Sequence, residues 1–389
     1  MDFSETLRDA IFRANPCYQL VPFDKLSRAD QQSALANGLH PTSYGVFLPA
    51  AGSTLNIRTA CAESALLFLS LQSPAQMPKY VRAQNPSNWI DEVKKLLLDE
   101  ILEVQIDNAY VCGSALLANN ESTALSAQSD NGNLLSSLSA QAILYADKLD
   151  ISDPRTLSGR IYCFNRRPFC FDQHHGLCDR NKVTAFLRLA ELENELALNT
   201  RWKQQSQSPL FGGWLNFNST NPFKNEPSRD KWTCKLYISA HWQHLPQVLL
   251  RFLSNTKSHL CACGFKVPCD IFGLLRPDNF VVYVKSKEAV FELADSLAPT
   301  LQGTPVQGVP FSSPLTQDGL LSWGADPPKA SAFSMVGESW RYWLTNRLAS
   351  NLIRAKSSDA NSRPHTLALE RLRLEGIDVD SWTPPQDLL

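Results

Sequence analysis

The chain has 389 residues, a hydrophobic fraction of 43% and a formal net charge of −1. That length suits two domains, or one with a large elaboration, and the neutral balance argues against a nucleic-acid or membrane-surface binder, which needs a basic face. No run of about 18 apolar residues marks a membrane-spanning helix, Met1-Asp2-Phe3-Ser4-Glu5 lacks a signal-peptide core, and the ten cysteines are scattered, so the expectation is a cytoplasmic protein with free thiols.

In chain order, residues 1–75 read as mostly helical, with a buried helix over Ala60–Leu69. A second helix runs from Asp91 to Val104, with Val93, Leu96, Leu97, Ile101 and Leu102 at helical spacing. Residues 113–141, rich in Ser, Asn and Gln, read as a surface excursion. Arg160–Phe164 reads as a strand closed by Asn165-Arg166-Arg167-Pro168, and Val183–Leu198 as an amphipathic helix. The Gly, Pro, Asn and Ser content of Gln204–Asp230 marks a long loop and the best domain boundary. Beyond it, strands over Cys234–Ala240, Cys263–Val267 and Phe280–Val284 alternate with helices over Leu245–Leu253 and Lys287–Leu301. A further helix follows over Ser339–Lys356, and the tail from Ser357, with Pro364 and Pro384-Pro385, reads as partly disordered. The predicted division is a helical domain over residues 1–204, an α+β domain over 205–356 with a mixed sheet, and a tail over 357–389.

Cations in and beside these strands point to chemistry. On the first strand Lys235, Tyr237, Ser239 and His241 share one face, and Leu236, Ile238 and Ala240 the other. Taken alone, that polar face reads as solvated. Lys266 on a second strand and Arg276 just before a third change the reading, because three cations at one point repel unless an anion sits between them. A phosphorylated side chain is such an anion. A lysine crowded by cations has its pKa lowered and acts as a base near neutral pH. A base beside a phosphate clamp suits β-elimination of phosphoserine or phosphothreonine, with no metal and no cofactor.

Lys235-x-Tyr237-Ile238-Ser239, then a helix, then Phe265-Lys266-Val267, then Arg276-Pro277-Asp278-x-Phe280-Val281-Val282-Tyr283 resembles the HopA-type effector family. It is also similar to phosphothreonine lyases and to the lyase domain of class III lanthipeptide synthetases. The resemblance spans roughly residues 205–355. It implies an α+β fold and a lyase that dehydrates a phosphorylated precursor peptide after a separate kinase has acted, with no nucleic acid or membrane as partner. By position, the resemblance makes Lys266 the base, Lys235 and Arg276 phosphate ligands, and Arg341 and Arg347 further cations. Tyr237 stands where these lyases have a histidine acid, so Tyr237, His241 and His244 all remain open as proton donor. Ser322-Trp323-Gly324-Ala325-Asp326-Pro327-Pro328 resembles a late segment of the family, which makes Trp323 and Asp326 substrate contacts. A structural turn with a half-buried Trp323 accounts for that segment equally well.

Three other readings compete. A non-catalytic effector or scaffold would keep the anion site without the acid. His259, Cys261, Cys263 and Cys269, or Cys170, His174, His175 and Cys178, would make a zinc hydrolase, but neither set has paired two-residue cysteine spacing. Arg166-Arg167 beside Phe164 and Phe169 would bind an anionic or peptide partner, although arginines after a strand are commonly just solvated.

Overall fold

The computed structural model describes residues 7–36, 43–50, 55, 57–84, 89–106, 108–113, 116, 133–177, 179–195, 201–205, 213–220, 234–256, 261–325, 339–356 and 363–384. The chain divides into two compact units, Met1–Ala124 with Ser350–Glu375, and Leu125–Ala349 with Gly376–Leu389.

The first unit runs β1 (Ile11–Ala14), β2 (Tyr18–Pro22), α1 (Arg28–Ala36), β3 (Gly45–Pro49), β4 (Arg58–Ala60), α2 (Ala62–Ser70), β5 (Ala75–Gln76), α3 (Lys79–Gln84), α4 (Trp89–Leu98), β6 (Leu102–Ile106) and β7 (Ala109–Val111). Its strands form antiparallel sheets in the orders β5-β1-β6-β7 and β2-β3-β4. Among the described residues the N-terminal half over 1–204 is mainly helical, as expected, but within residues 1–75 the strands β1 to β4 stand beside α1 and α2 where mostly helix was expected. Strands of two to five residues are too short for period-two alternation to stand out in sequence. The helix expected over Asp91–Val104 is α4 followed by β6. The turn between them carries Glu100 at φ 64°, which no helix accommodates. Trp89, Val93 and Leu97 of α4 pack with Phe12, Leu102 and Val104 of the larger sheet.

The second unit carries α5 (Leu134–Lys148), α6 (Pro154–Tyr162), α7 (Phe171–His174), α8 (Arg180–Phe186), α9 (Leu189–Glu195), β8 (Trp202–Gln204), β9 (Trp214–Ser219), β10 (Cys234–Ile238), α10 (Leu245–Asn255), β11 (Ala262–Pro268), α11 (Ile271–Leu274), β12 (Val281–Val284), α12 (Lys287–Leu301), β13 (Ser313–Pro314), β14 (Leu321–Ala325) and the start of α13 (Trp340–Lys356). The strand expected over Arg160–Phe164 is the end of α6. Asp153 caps that helix by accepting from the Thr156 amide at 2.7 Å, and Pro154 fills its first turn. The single helix expected over Val183–Leu198 is α8 and α9, broken where Arg188 takes φ 56°.

The seven strands of this unit are ordered β13-β14-β10-β12-β11-β9-β8. Every pair is antiparallel, in place of the mixed pairing expected. The α+β class stands. β9 lies within the stretch Gln204–Asp230 expected as a boundary loop and pairs with β8 before it and β11 after it. The expected boundary therefore falls inside one unit, and the division falls at residues 124/125 rather than at 204/205.

Both faces of the central strands are covered. Leu236 and Ile238 of β10 pack with Phe265, Val282 and Trp323 of the sheet and with Leu249, Phe252, Leu293 and Leu297 of α10 and α12. The opposite face buries Tyr237 and Val281 with Val309, and packs Tyr283 beside them. The polar face of β10 is thus not the solvated one that its alternation alone suggested.

Gly324 of β14 stands opposite Lys235 on that second face. A β-carbon there would lie 2.5 Å from Cδ1 of Trp340, the first residue of α13. Gly324→Ala is expected to push the start of α13 off the sheet and to cost about 1–3 kcal/mol, read by urea melts. A loss below about 0.5 kcal/mol would show that α13 yields without strain.

The tail is ordered over much of its length, contrary to the expectation from its prolines. In the first unit α14 (Pro364–Leu374) buries Leu367, Ala368, Leu369 and Leu372, and Arg371 pairs with Asp99 at 2.5 Å. In the second, Trp382 is buried against Phe311, ring centroids 5.1 Å apart. Pro364 begins its helix, where its missing amide costs nothing.

Candidate functional site

Strand register places the site. Ser322, Tyr237, Val281, Lys266 and Asn216 form one row across β14, β10, β12, β11 and β9, and Gly324, Lys235, Tyr283, Gly264 and Asn218 form the next. Directly paired residues share a face. Tyr237 and Lys266 therefore rise from the same face two strands apart, roughly 10 Å between backbones, with Val281 between them and Lys235 one row away.

The segment between β11 and β12 brings in the rest. Asp270 caps the short helix α11 by accepting from the Gly273 amide at 2.6 Å, and the chain then turns through Arg276, Pro277 and Asp278. Ser239, just past the end of β10, anchors this turn. It is fully buried, its hydroxyl donates to the Pro277 carbonyl at 2.6 Å and its oxygen accepts from the Gly308 amide at 2.9 Å. Asn279 adds bonds to the carbonyls of Ala240 at 2.9 Å and Leu274 at 3.2 Å. Ser239→Ala is expected to cost about 1–3 kcal/mol because it strands a buried carbonyl and amide. The readout is a thermal melt, and an unchanged midpoint would remove Ser239 as the anchor.

Asp278 is the centre of the cluster, buried and held by two guanidiniums. Arg276 donates to it through Nε at 2.8 Å and a terminal nitrogen at 2.9 Å. Arg341 from α13, only 1% exposed, approaches its Oδ2 at 3.0 Å. Arg341 is fixed further by donating to the carbonyls of Pro310 at 2.9 Å and Tyr162 at 3.0 Å. The Tyr162 hydroxyl donates to Asp278 at 3.2 Å and accepts from Arg276 at 2.9 Å, and its ring lies under both guanidiniums, at 5.3 Å and 4.7 Å.

Burial pushes the Asp278 carboxyl up, but the charges of Arg276 and Arg341, the Arg276 hydrogen bonds and Lys266 overcome it and hold the group well below the usual carboxylate range. Burial first, then the Asp278 charge, pushes the Tyr162 phenol up, against the pull of Arg276 and Arg341. Burial is also the main influence on Lys266. Asp278 opposes it, Arg276, Lys235 and Arg341 reinforce it, and the ammonium is held down to about 8. Its Nζ lies 4.4 Å from the Trp214 ring centroid, and Arg276 lies 5.1 Å from the same ring. Lys235 lies 5.9 Å from the Tyr283 ring.

The structure thus gathers Lys235, Lys266, Arg276 and Arg341 at one place. The charges acting most strongly on Lys266 are three cations and the Asp278 carboxylate. Part of the anion that a cation cluster demands is supplied by the chain itself. Arg341 is the most buried of the cations, whereas Arg347 stacks on Trp343 at 4.0 Å instead.

His241 stands apart. It lies beyond the end of β10, between Trp242 and His244. Burial, Arg167 and His244 lower its pKa, not the Asp278 cluster. Trp323 is 1% exposed and packs in the core with Leu236, on the face opposite Lys235 and Tyr237. Its pairing with Leu236 dictates that side, so it does not line the cationic face. Asp326 lies outside the described residues, as do His259 and Cys178 of the two zinc sets. Among the described residues no three His, Cys, Asp or Glu side chains come together as a metal site, and no helix is long and apolar enough to cross a membrane.

Sequence reasoning missed Asp278, Tyr162 and Trp214. Asp278 was visible in the Arg-Pro-Asp run. Tyr162 had no local signal, because its helix was read as a strand.

No family model matches the chain, and no curated protein matches it. Its α+β fold is similar to that of effector proteins of Pseudomonas syringae. For the effector of pv. syringae strain 61 the TM-score is 0.39 at 12% identity, over 62% of this chain and 93% of that one. For the effector of pv. tomato strain DC3000 it is 0.40 at 13% identity, over 64% and 97%. The Chromobacterium violaceum VirA (SpvC) phosphothreonine lyase effector gives 0.27 at 13% identity, over 38% and 77%. These are distant likenesses of fold.

Proposed function

We propose that the protein is a phosphoserine/phosphothreonine lyase that acts on a phosphorylated peptide and leaves a dehydroamino acid. The observation that carries this reading is Lys266. It is a lysine held down to about 8 beside Lys235, Arg276 and Arg341, a base poised near neutral pH at a cationic site.

In this reading Lys235, Arg276 and Arg341 hold the phosphate, and Asp278 with Tyr162 fixes the two guanidiniums. Neutral Lys266 takes the α-proton. The electron pair of that C–H bond forms the new double bond as the Cβ–O bond breaks, and the bonding pair leaves on the phosphate oxygen. Tyr237, buried in the same row as Lys266, protonates that oxygen, so hydrogen phosphate departs. The context is dehydration of a ribosomally made precursor of the lanthipeptide kind in the cytoplasm, after a separate kinase has phosphorylated it. The first unit is then where the leader of that precursor or the kinase binds.

The second reading is a binding module for a phosphorylated or anionic peptide. Tyr237 favours it, because phenol has an ordinary pKa near 10 and is a poor donor at neutral pH. Incubation with a phosphothreonine peptide separates the two by mass spectrometry. Loss of phosphoric acid supports the lyase, and tight binding of an intact peptide supports the module.

A further inference from the structure

Beside the cationic cluster the second unit exposes a patch that the chemistry above does not use. Phe169, Phe171 of α7 and Phe272 of α11 are 43%, 68% and 58% exposed. Phe169 and Phe272 form an exposed track, and the ring contacts continue beneath it through the buried His174 and Trp242. Phe272 meets Phe169 at 6.1 Å, Phe169 meets His174 at 5.6 Å, His174 meets Trp242 at 5.2 Å and Trp242 meets His241 at 6.0 Å. Two large aromatics in contact and exposed, with Phe171, two residues along the chain from Phe169, stacked on His175, are a liability unless something covers them.

The flank of the track is cationic. Arg166 and Arg167 are exposed, Arg167 is close enough to act on His241, and His244 stands beside it. Two carboxylates lie near, Asp172 on α7 and Asp270, and Asp270 is already engaged as the cap of α11. In formal charge those carboxylates offset the two arginines, but within the described residues neither Arg166 nor Arg167 is in an ion pair, so two adjacent exposed cations remain on the flank.

The track is joined to the site by covalent structure. Residues 271–278 carry Phe272 at one end and Arg276 and Asp278 at the other, and the Leu275 carbonyl between them accepts from the Arg167 amide at 2.9 Å. Arg276 lies four residues after Phe272, a helical rise of about 6 Å, which an extended peptide covers in roughly two residues.

We propose that this track receives the segment of the substrate peptide flanking the phosphorylated residue, and that this segment is acidic and carries an apolar side chain. Its occupant is the substrate itself, so the inference rests on the lyase reading for its meaning. The apolar side chain lies on Phe169 and Phe272, and the acidic groups face Arg166 and Arg167. Such contacts supply binding energy remote from the reacting bond.

The test uses the full chain and three probes: a minimal phosphothreonine peptide, the same peptide with a flank of two glutamates and one leucine, and that flanked peptide unphosphorylated and fluorescein-labelled. Wild type is expected to process the flanked phosphopeptide with kcat/KM at least about tenfold above the minimal one, a ratio of 1.4 kcal/mol. Phe169→Ala/Phe272→Ala is expected to erase that ratio through KM, and Arg166→Gln/Arg167→Gln to erase it for the glutamate flank but not for a glutamine one. Both pairs are surface side chains, so an unchanged melt confirms folded protein. No flank preference in wild type, or a preference that survives both variants, overturns the proposal. So does a change in oligomeric state on the aromatic substitution with the flank ratio intact, which would assign the patch to a second copy of the chain. If no peptide is dehydrated at all, the lyase reading fails by itself. The labelled peptide then decides the track: anisotropy binding lost in the aromatic variant upholds it, and no binding to wild type overturns it.

Discussion

Replacing Lys266 by methionine is expected to lower elimination from a phosphothreonine peptide by about 10²–10⁴-fold, with the phosphopeptide still bound. The reason is the position and state of this one amine. Its backbone site on β11 is fixed by pairing with Val281 and Asn216, and burial with the charges of Arg276, Lys235 and Arg341 keeps its pKa near 8 against the opposing pull of Asp278. A base must be neutral to work, so wild-type kcat/KM is expected to rise with pH and level off above about 8. Two further substitutions move that limb in opposite directions. Lys235→Met removes a cation that lowers the Lys266 pKa, so the limb shifts to higher pH. Asp278→Asn removes the anion that raises it, so in whatever folded protein remains the limb shifts to lower pH. A limb that stays in place in both variants, or elimination that survives Lys266→Met, would exclude Lys266 as the base.

Asp278→Asn is also expected to be the most destabilising single change at the site. It leaves the largely buried Arg276 and the fully buried Arg341 facing each other without their shared carboxylate, and breaking a buried ion pair from one side costs about 3–5 kcal/mol. For a unit of this size each kcal/mol lowers the melting temperature by roughly 2–4 °C. Arg341→Met is expected to cost less, because Asp278 keeps both hydrogen bonds from Arg276.

Acidification provides an independent check with a definite sign. The folded-state pKa of Asp278 is depressed, so its contribution is fully present above the unfolded carboxylate value near 3.9 and is lost as pH falls through the folded value. The Asn variant lacks that contribution at every pH, so the gap between variant and wild type should narrow below about pH 4. Urea melts at neutral and acidic pH read this directly. A variant within about 1 kcal/mol of wild type at pH 7 would mean that water serves Arg276 and Arg341 as well as Asp278 does.

The α+β class and most elements of the second unit were legible in the residues. The predicted helix over Lys287–Leu301 coincides with α12, and those over Leu245–Leu253 and Ser339–Lys356 correspond to α10 and α13 within two residues at either end. Long amphipathic runs with clear caps, such as Ser286 before α12 accepting from the Ala289 amide, report their own structure. The short strands of the first unit did not, because two to five residues carry too little periodicity. The Arg160–Phe164 segment alternated like a strand and folded as the end of a helix that Asp153 and Pro154 had begun six residues earlier. The local pattern lost to the cap.

For the site, the sequence by itself determined which residue types stand on which strand face. Alternation along β10 put Lys235 and Tyr237 together, and likewise set Trp323 opposite them once β14 paired with β10. The sequence also placed Arg276 and Asp278 two residues apart. Only the tertiary structure decided what those charges meet. Register aligned Lys266 with Tyr237 across β12, α13 delivered Arg341 from sixty-three residues beyond Asp278, and α6 delivered Tyr162. No local rule encodes such meetings, because strand register and helix docking are set by the burial of whole faces. The same physics buried the polar face of β10 under Val309 and the start of α13. Cations drawn from two strands, a turn and a helix thereby became a confined cluster in which one lysine is held down to about 8.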